Sequence, residues 1–292
     1  MPPPRVGLVA PWRWLQQAVT LLLAHPRALL GGAAMLVAMA LLPSVIAAVL
    51  APLLSAGGAQ AAGVLASLLL YPPAAGGYLR LLHARQSGQD APGGTLFGLF
   101  ADGPAARRLV IGNLLLVSGF MLAIALLAFA LDGESLLEYL RQLSLLKPGG
   151  TPPALPGGAL PFAIALLLSG VYMLATQGLA YAELALGARQ PLAAIGAALA
   201  ASARHFALLL MFFLPAMFLG FLAFMLVALA AILLAAMLAA VSAILGKLVV
   251  AACTVALMTS MYALLFAFYY FAWRELFGTP VPPAEPPHRI AA

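Results

Sequence analysis

Charge is scarce in this chain. Charged residues make up 8% of its 292 residues, against about 25% in a typical soluble domain, and hydrophobic residues make up 65%. So few charges cannot cover the surface of a water-soluble fold, which excludes that class. The net charge of +6 would suggest a nucleic-acid partner in a soluble protein, but here the basic residues stand at the ends of apolar runs. We therefore expect membrane lipids as partners and no nucleic acid.

The motifs of catalysis and metal binding are also missing. Cys253 is the single cysteine, so a disulfide within the chain and a cysteine-based metal site are both excluded. The sequence has no Gly-x-Ser-x-Gly nucleophile motif, no His-Glu-x-x-His motif and no phosphate-binding loop. Its histidines, His25, His83, His205 and His288, lack the spacing of metal ligands. We predict a protein that is not an enzyme and has no cofactor and no metal.

Long apolar runs are what the chain has instead. Residues 206–272 are interrupted by one charge, Lys247, and are long enough for two helices across a bilayer, each of which needs about 20 residues. Backbone in lipid must bond its own polar groups, so each run is expected to be helical. The sequence therefore predicts an all-α polytopic membrane protein, a single domain over residues 1–278 with six transmembrane helices in three hairpins. The predicted spans are 28–54, 61–82, 109–131, 161–184, 206–234 and 242–272, followed by a disordered proline-rich tail, 279–292.

The basic residues predict the orientation. With both termini in the cytoplasm, eleven of the fourteen Lys and Arg residues fall on the cytoplasmic side, while Arg141, Lys147 and Lys247 fall outside. A bias of this size follows the positive-inside rule. We predict a multi-pass protein of the bacterial inner membrane whose N-terminus and C-terminus are both cytoplasmic.

Three shorter segments are predicted to be amphipathic helices at the membrane–water boundary. Residues 12–23 and 192–203 are too short to span a bilayer and are expected along the cytoplasmic face. Residues 134–146 carry a leucine stripe at helical spacing and are expected along the outer face. These helices would surround the bundle of hairpins.

A weak internal repeat links two of these segments. Pro11 is followed by His25, and Pro191 by His205, 14 residues later in both cases, and a span begins after each histidine. Residues 96–100 precede the third span in a similar way. This spacing suggests three units, each a short cytoplasmic-face helix followed by a helical hairpin. The alternative is that aromatic and charged residues gather at any membrane boundary.

Three short motifs carry a resemblance: Trp12 and Trp14 ahead of the first span, Leu96-Phe97 with Leu99-Phe100, and the ending Trp273-Arg274-Glu275-Leu276-Phe277-Gly278. Together they resemble a group of uncharacterised bacterial inner-membrane proteins. These are similar in layout to the membrane domain attached to some glycerophosphodiester phosphodiesterases. The resemblance implies a six-helix inner-membrane protein. It implies no activity and no site residues, since these 292 residues contain no soluble phosphodiesterase domain.

Polar residues inside spans are costly in lipid and are therefore the candidate site. The candidate polar and charged cluster is Arg80, Asn113, Gln177, Glu183, Arg274 and Glu275. If the inner ends of the second, fourth and sixth spans meet, Glu183 is expected to pair with Arg80 or Arg274. The alternative is that these residues make helix-packing hydrogen bonds or lie at headgroup level.

The second span contains the strongest helix-breaking signals. Residues 71–77 include Pro72, Pro73, Gly76 and Gly77, which predict a kink or an unwound turn. Such a break favours a transporter for a small solute or a lipid, with the inner-face charges in its pathway. Our leading hypothesis is a non-enzymatic envelope role, namely membrane organisation, lipid handling or support of a partner complex. An intramembrane hydrolase is a third class, and a protein partner or a second copy of the chain is left open.

Overall fold

The structure is a computed structural model that describes residues 6–131, 133–146, 153–154, 156–187, 189–239 and 242–278. This part of the chain is helical and contains no β-strand. Its helices are α1 (Ala10–Ala24), α2 (Pro26–Leu50), α3 (Ala56–Gln86), α4 (Gly98–Ala101), α5 (Gly103–Ala130), α6 (Gly133–Ser144), α7 (Ala159–Leu186), α8 (Pro191–Arg204), α9 (Phe206–Ala239) and α10 (Ala243–Leu276), with a 3₁₀ turn (Gly93–Phe97) before α4.

Six helices are long and apolar enough to cross a membrane: α2, α3, α5, α7, α9 and α10. This confirms the prediction of an all-α polytopic membrane protein. The largest shift of a starting residue is at α5, which begins at Gly103 rather than at 109. Asp102 accepts a hydrogen bond from the backbone N–H of Ala105, and Pro104 occupies the first turn, so this end is a capped helix start. The tail 279–292 lies outside the described residues.

The second span is not broken. Helix α3 runs without interruption through Pro72 and Pro73, so of the two predicted alternatives, a kink or an unwound turn, the unwound turn is wrong. Each proline removes one N–H from the helix hydrogen-bond ladder, which predicts a break for an isolated helix. Here residues 72–79 are all buried, and neighbouring helices enclose this segment on every side. Tertiary packing therefore holds the helix where local preference alone disfavours it.

The bundle has three central helices and three outer ones. Helices α3, α7 and α10 contact one another, and each also packs against the other helix of its hairpin, α2, α5 or α9. Each outer helix contacts the central helix of the preceding hairpin as well, so that α5 packs on α3, α9 on α7 and α2 on α10. The same contact pattern therefore repeats three times around the bundle.

A short helical segment precedes each outer helix: α1 precedes α2, the 3₁₀ turn and α4 precede α5, and α8 precedes α9. We call these segments the leading helices, and they follow the same cyclic pattern. The 3₁₀ turn and α4 pack on α3, α8 packs on α7, and α1 packs on α10. Trp14 and Ala18 are buried in α1, and Ala194 and Ala198, at the same distances from the starting prolines, are buried in α8. These matching contacts support the repeated-unit interpretation.

The leading helices are separate from the spans that follow them. His25, with φ −132° and ψ 52°, ends α1 before α2. His205, with φ −107° and ψ 18°, ends α8 before α9. Both residues leave the helical region of backbone conformation, so neither leading helix runs on uninterrupted into its span.

Glycine allows the closest backbone approach in the fold. A Cβ on Gly77 of α3 would overlap the carbonyl oxygen of Leu96 in the 3₁₀ turn. On the other side of the turn, a Cβ on Gly93 would lie 2.8 Å from the backbone nitrogen of Gly32 in α2 and 3.0 Å from the carbonyl oxygen of Ala28. The 3₁₀ turn is thus wedged between α2 and α3. Its contact with α3 requires Gly77, and its contact with α2 requires Gly93.

Candidate functional site

Arg80 links three elements at the C-terminal end of α3. Its Nε donates to the carbonyl oxygen of Ala185 in the last turn of α7 at 3.2 Å. Its Nη1 donates to Asp102, the N-cap of α5, at 3.2 Å. A guanidinium is favourable beside the unpaired carbonyls of a helix C-terminus. The Ala105 N–H and the Arg80 guanidinium hold the pKa of Asp102 below its usual range, which keeps the carboxylate charged opposite Arg80.

Glu183 is a buried carboxylate in the last turn of α7, with 5% of its surface exposed. Trp273 of α10 donates its indole N–H to Glu183 Oε2 at 2.7 Å. Arg189, just beyond the end of α7, places its Nε 3.4 Å from Glu183 Oε1. A Cβ on Gly187 would overlap the carboxylate, so the Glu183 side chain lies directly over this glycine. Glu183 forms its ion pair with Arg189, and Arg80 forms one with Asp102, so the expected pairing of Glu183 with Arg80 is wrong.

The third contact between central helices joins α10 to α3. The hydroxyl of Tyr270 lies 3.1 Å from His83 Nδ1, and the two rings meet edge to face. Arg274, one turn further along α10, holds its guanidinium over the rings of Tyr270 and Phe271, at 5.5 and 5.8 Å from their centroids. Its charge is therefore fixed at the end of α10.

These contacts close a ring around the C-terminal ends of the three central helices, through Arg80 to α7, Glu183 to α10 and Tyr270 to α3. We call this ring the polar layer, and its members are Arg80, His83, Glu183, Tyr270 and Trp273. Glu183 and Trp273 are buried, so the hydrogen bond between them prevents a costly unsatisfied group, whereas Arg80 is partly exposed and can also be solvated. The polar layer fixes the relative positions of α3, α7 and α10.

Glu275 attaches the first helix to this end of the bundle. Trp14 of α1, which is fully buried, donates its indole N–H to Glu275 Oε2 at 2.8 Å. Arg13 pairs with the other carboxylate oxygen of Glu275. The same kind of hydrogen bond occurs between Trp273 and Glu183. In both pairs a tryptophan indole N–H donates to a glutamate carboxylate on another helix.

Asn113 and Gln177 belong to a separate network. Gln177 Nε2 donates to the hydroxyl of Tyr181 at 3.1 Å, and that hydroxyl donates to Asn113 Oδ1 at 2.7 Å. Asn113 and Tyr181 are both buried, and the chain of bonds joins α5 to α7. This is the arrangement of a helix-packing hydrogen bond, the alternative stated for these residues above.

An open cavity of about 790 Å³ lies beside the polar layer, between α1 and the C-terminal ends of α3 and α10. We call it the α1 cavity. Its walls carry three arginines, one histidine, one carboxylate and several neutral polar groups. The lining residues are Arg13, Gln16, Gln17, Thr20, Leu21, Ala24, His25, Arg85, Gln86, Phe271, Arg274, Glu275 and Gly278.

The candidate cluster is thus divided among three places. Arg80 and Glu183 belong to the polar layer, Arg274 and Glu275 line the α1 cavity, and the pair Asn113 and Gln177 lies in the α5–α7 network. The sequence reading missed Asp102, Arg189, Trp14 and Arg85. A helix-capping aspartate ahead of Pro104 was a visible signal for Asp102. Arg189 and Arg85 pair with carboxylates close to them in sequence, Glu183 and Asp90, whereas the partner of Trp14 depends on how distant helices pack.

Comparison with known proteins returns no match: no protein-family model, no curated protein and no solved structure resembles the chain at a significant level. The class of the protein therefore follows from its own helices. It is a multi-pass α-helical membrane protein. Within the described residues, no group of three or more His, Cys, Asp or Glu side chains is placed to hold a metal ion.

Proposed function

We propose that the protein is a non-enzymatic component of the bacterial inner membrane that handles lipid, and that the α1 cavity receives a lipid headgroup at the cytoplasmic face. The observation that carries this proposal is the cavity itself. It is open, its lining combines charged and polar side chains with apolar ones, and it is placed where two helices long and apolar enough to cross a membrane end. The inner membrane is part of this proposal, as the sequence motifs predict.

The position of the cavity supports a lipid headgroup as its ligand. It is bounded by the last turns of α3 and α10, which mark the end of the apolar bundle. Its remaining wall is α1, a 15-residue helix that is too short to cross the bilayer. Trp12 on α1 is exposed and packs edge to face on Phe212, as an aromatic residue at a membrane boundary does.

Two observations favour this function over a transporter. The unbroken α3 removes the unwound turn on which the transporter hypothesis depended. Arg80 and Glu183 of the candidate cluster also bond to neighbouring central helices, Arg80 to the Ala185 carbonyl of α7 and Glu183 to Trp273 of α10, and so tie the bundle together. A bundle whose central helices are joined by polar contacts, with a cavity of mixed lining at its edge, suits the binding of a lipid more than the alternating exposure of a central site.

Reporter fusions test the proposed orientation. Fusions after Gly88, Gly187 and Gly278 are expected to report the cytoplasm, and fusions after Gly57 and Gly149 the opposite side, because α3, α7 and α10 each end at the basic face. Paired alkaline phosphatase and fluorescent protein fusions provide the measurement. A cytoplasmic signal at Gly149 would contradict the six-span topology.

Filling the α1 cavity tests the proposed function. Thr20 lines the cavity, and Thr20→Trp is expected to reduce the lipid that co-purifies with the protein several-fold, because the indole occupies the headgroup space. Val19→Trp is the matched control, since Val19 is an exposed neighbour on α1 that does not line the cavity. Native mass spectrometry of the detergent-purified chain counts the retained lipids. Equal retention by the two variants would refute lipid binding in this cavity.

A further inference from the structure

We propose that a second cavity, between α5 and α7, holds one fatty acyl chain of a membrane lipid. This cavity has a volume of about 620 Å³, and we call it the α5–α7 cavity. Its walls belong to α5, α7, α8 and α9, whereas the α1 cavity lies between α1, α3 and α10. The two cavities share no lining residue, so the acyl-chain site does not depend on the proposed function.

The α5–α7 cavity forms where its two helices separate. Toward the C-terminal end of α7 they are in close contact, because a Cβ on Gly112 would lie 2.5 Å from Leu184 Cδ1 and because Tyr181 donates a hydrogen bond to Asn113. Two turns further along α5, a Cβ on Gly119 would meet no atom of the described residues within 4 Å. The gap that opens between these two levels is the cavity.

The lining follows one face of each helix. On α5, Leu115, Gly119 and Ala123 line the cavity at intervals of four residues, and on α7, Leu168 and Tyr172 do so at the same interval. The lining covers residues 115–123 of α5 and 168–176 of α7. Eight residue steps of a helix rise about 12 Å. The cavity is therefore an elongated slot parallel to the two helices.

The third wall of the slot is fixed to α7 by Tyr172. This wall consists of Leu199 and Ala203 of α8 with Phe206 at the start of α9. The Tyr172 hydroxyl donates to the carbonyl oxygen of Leu199 at 3.0 Å, and its ring meets the ring of Phe206 edge to face at 5.8 Å between centroids. These contacts hold the walls apart without any filling of the slot itself.

The chemistry of the lining favours an apolar ligand. None of its described residues carries a charge, the Tyr172 hydroxyl is already bonded, and Thr176 is fully buried. Residues 115–123 lie well inside α5, which runs from Gly103 to Ala130 and is long and apolar enough to cross a membrane. The medium around the middle of such a helix is lipid hydrocarbon. An acyl chain of the bilayer is therefore the ligand at hand.

The width of the slot favours an acyl chain over a helix from a second copy. Spread over about 12 Å, the volume of about 620 Å³ gives a mean cross-section of about 50 Å². A helix at least about 10 Å across needs about 80 Å², so it could lie on the rim but could not enter. An unfilled slot would leave its lining without dispersion contacts on one side. A thin, flexible chain restores those contacts.

Photolabelling of the full-length chain in detergent tests the site. The probe is phosphatidylcholine with a diazirine in the middle of one acyl chain, added in trace amount before irradiation. We expect adducts on Phe120 and Met173, which line the slot, to exceed those on Phe218 several-fold. Phe218 is an exposed residue of α9 outside the slot and reports non-specific labelling. Peptide mass spectrometry locates the adducts, and equal labelling at the three positions would overturn the proposal.

Variants that fill the slot assign the labelling to it. Gly119→Trp is expected to abolish the excess of adducts, because the indole enters the open space beside Gly119. Gly170→Trp is the matched control, since Gly170 of α7 has equal space for a side chain but does not line the slot. Ala123→Trp fills the slot from an exposed lining position and replaces Gly119→Trp if that variant does not fold. Undiminished labelling in a folded filling variant would overturn the proposal.

Two further arms separate this site from the α1 cavity and from a protein partner. Phosphatidylglycerol with the same labelled chain should give equal adducts, and Thr20→Trp should leave them unchanged, because the acyl chain makes the contacts. A loss of adducts in Thr20→Trp would place the lipid in the α1 cavity and overturn the separate site. Crosslinks between two copies through a diazirine amino acid at Gly119 would assign the slot to a second chain and also overturn the proposal.

Discussion

Gly77→Ala is expected to destabilise the protein more than a glycine-to-alanine substitution at any other position of α3. The new Cβ would overlap the carbonyl oxygen of Leu96, a backbone atom of the wedged 3₁₀ turn that cannot rotate away as a side chain does. Overpacking a well-filled site costs about 1–3 kcal/mol, and a clash with backbone lies at the upper end of that range. The turn would separate from α3 and expose Leu96 and Leu99, which are fully buried.

Gly98→Ala is the matched control for this change. Gly98 starts α4 two residues after Leu96, has helical φ of −57°, and has open space where a Cβ would lie. Alanine there should leave stability unchanged or raise it by up to about 1 kcal/mol, because glycine is the poorer helix former. Far-UV circular dichroism during titration with sodium dodecyl sulfate measures both variants. Equal midpoints for the two would show that the turn is not wedged as described.

Glu183→Ala is expected to weaken the polar layer and lower stability by about 2 kcal/mol. The change removes the acceptor of the buried Trp273 indole N–H and the partner of Arg189. A buried donor left without an acceptor costs about 1–3 kcal/mol, while Arg189 is half exposed and turns to water at little cost. The contact between α7 and α10 should loosen.

Glu183→Gln separates the two roles of the carboxylate. The amide oxygen still accepts from Trp273, so we expect less than half of the loss seen in Glu183→Ala. Glu138→Ala is the control, because Glu138 is exposed and pairs with Arg141 on α6 at 3.6 Å, where a surface pair contributes about 0–1 kcal/mol. Thermal unfolding in detergent, followed by tryptophan fluorescence, compares the three. If Glu183→Ala unfolds at the same temperature as Glu138→Ala, the indole bond does not hold the bundle.

The spans could be predicted because each depends on its own residues. A run of about 20 apolar residues is helical in lipid whatever its neighbours are, and the six runs correspond to α2, α3, α5, α7, α9 and α10. The prediction of an unwound turn at Pro72 was wrong for the opposite reason, because the outcome there depends on neighbouring helices. Local rules predict a break there, but burial on every side of α3 overrides them.

The pairing of charges could be predicted only in part. The inner ends of the second, fourth and sixth spans were expected to meet, and polar contacts do join the ends of α3, α7 and α10. The partner of each charge depends on side-chain reach and helix rotation, which hydropathy does not encode. Glu183 pairs with Arg189, six residues away, and the expected partner Arg80 pairs with Asp102. Nothing in the spacing of Trp14 indicates that Glu275 is its acceptor.

The bond between Trp14 and Glu275 joins residues separated by 261 positions, almost the whole described chain. Helix α1 precedes α10 in the chain, so during synthesis it can contact α2 and α9 before its main partner, α10, has been made. Until then Trp14 has no carboxylate to accept its indole N–H. The docking of α1 is therefore a late step of assembly that depends on α10.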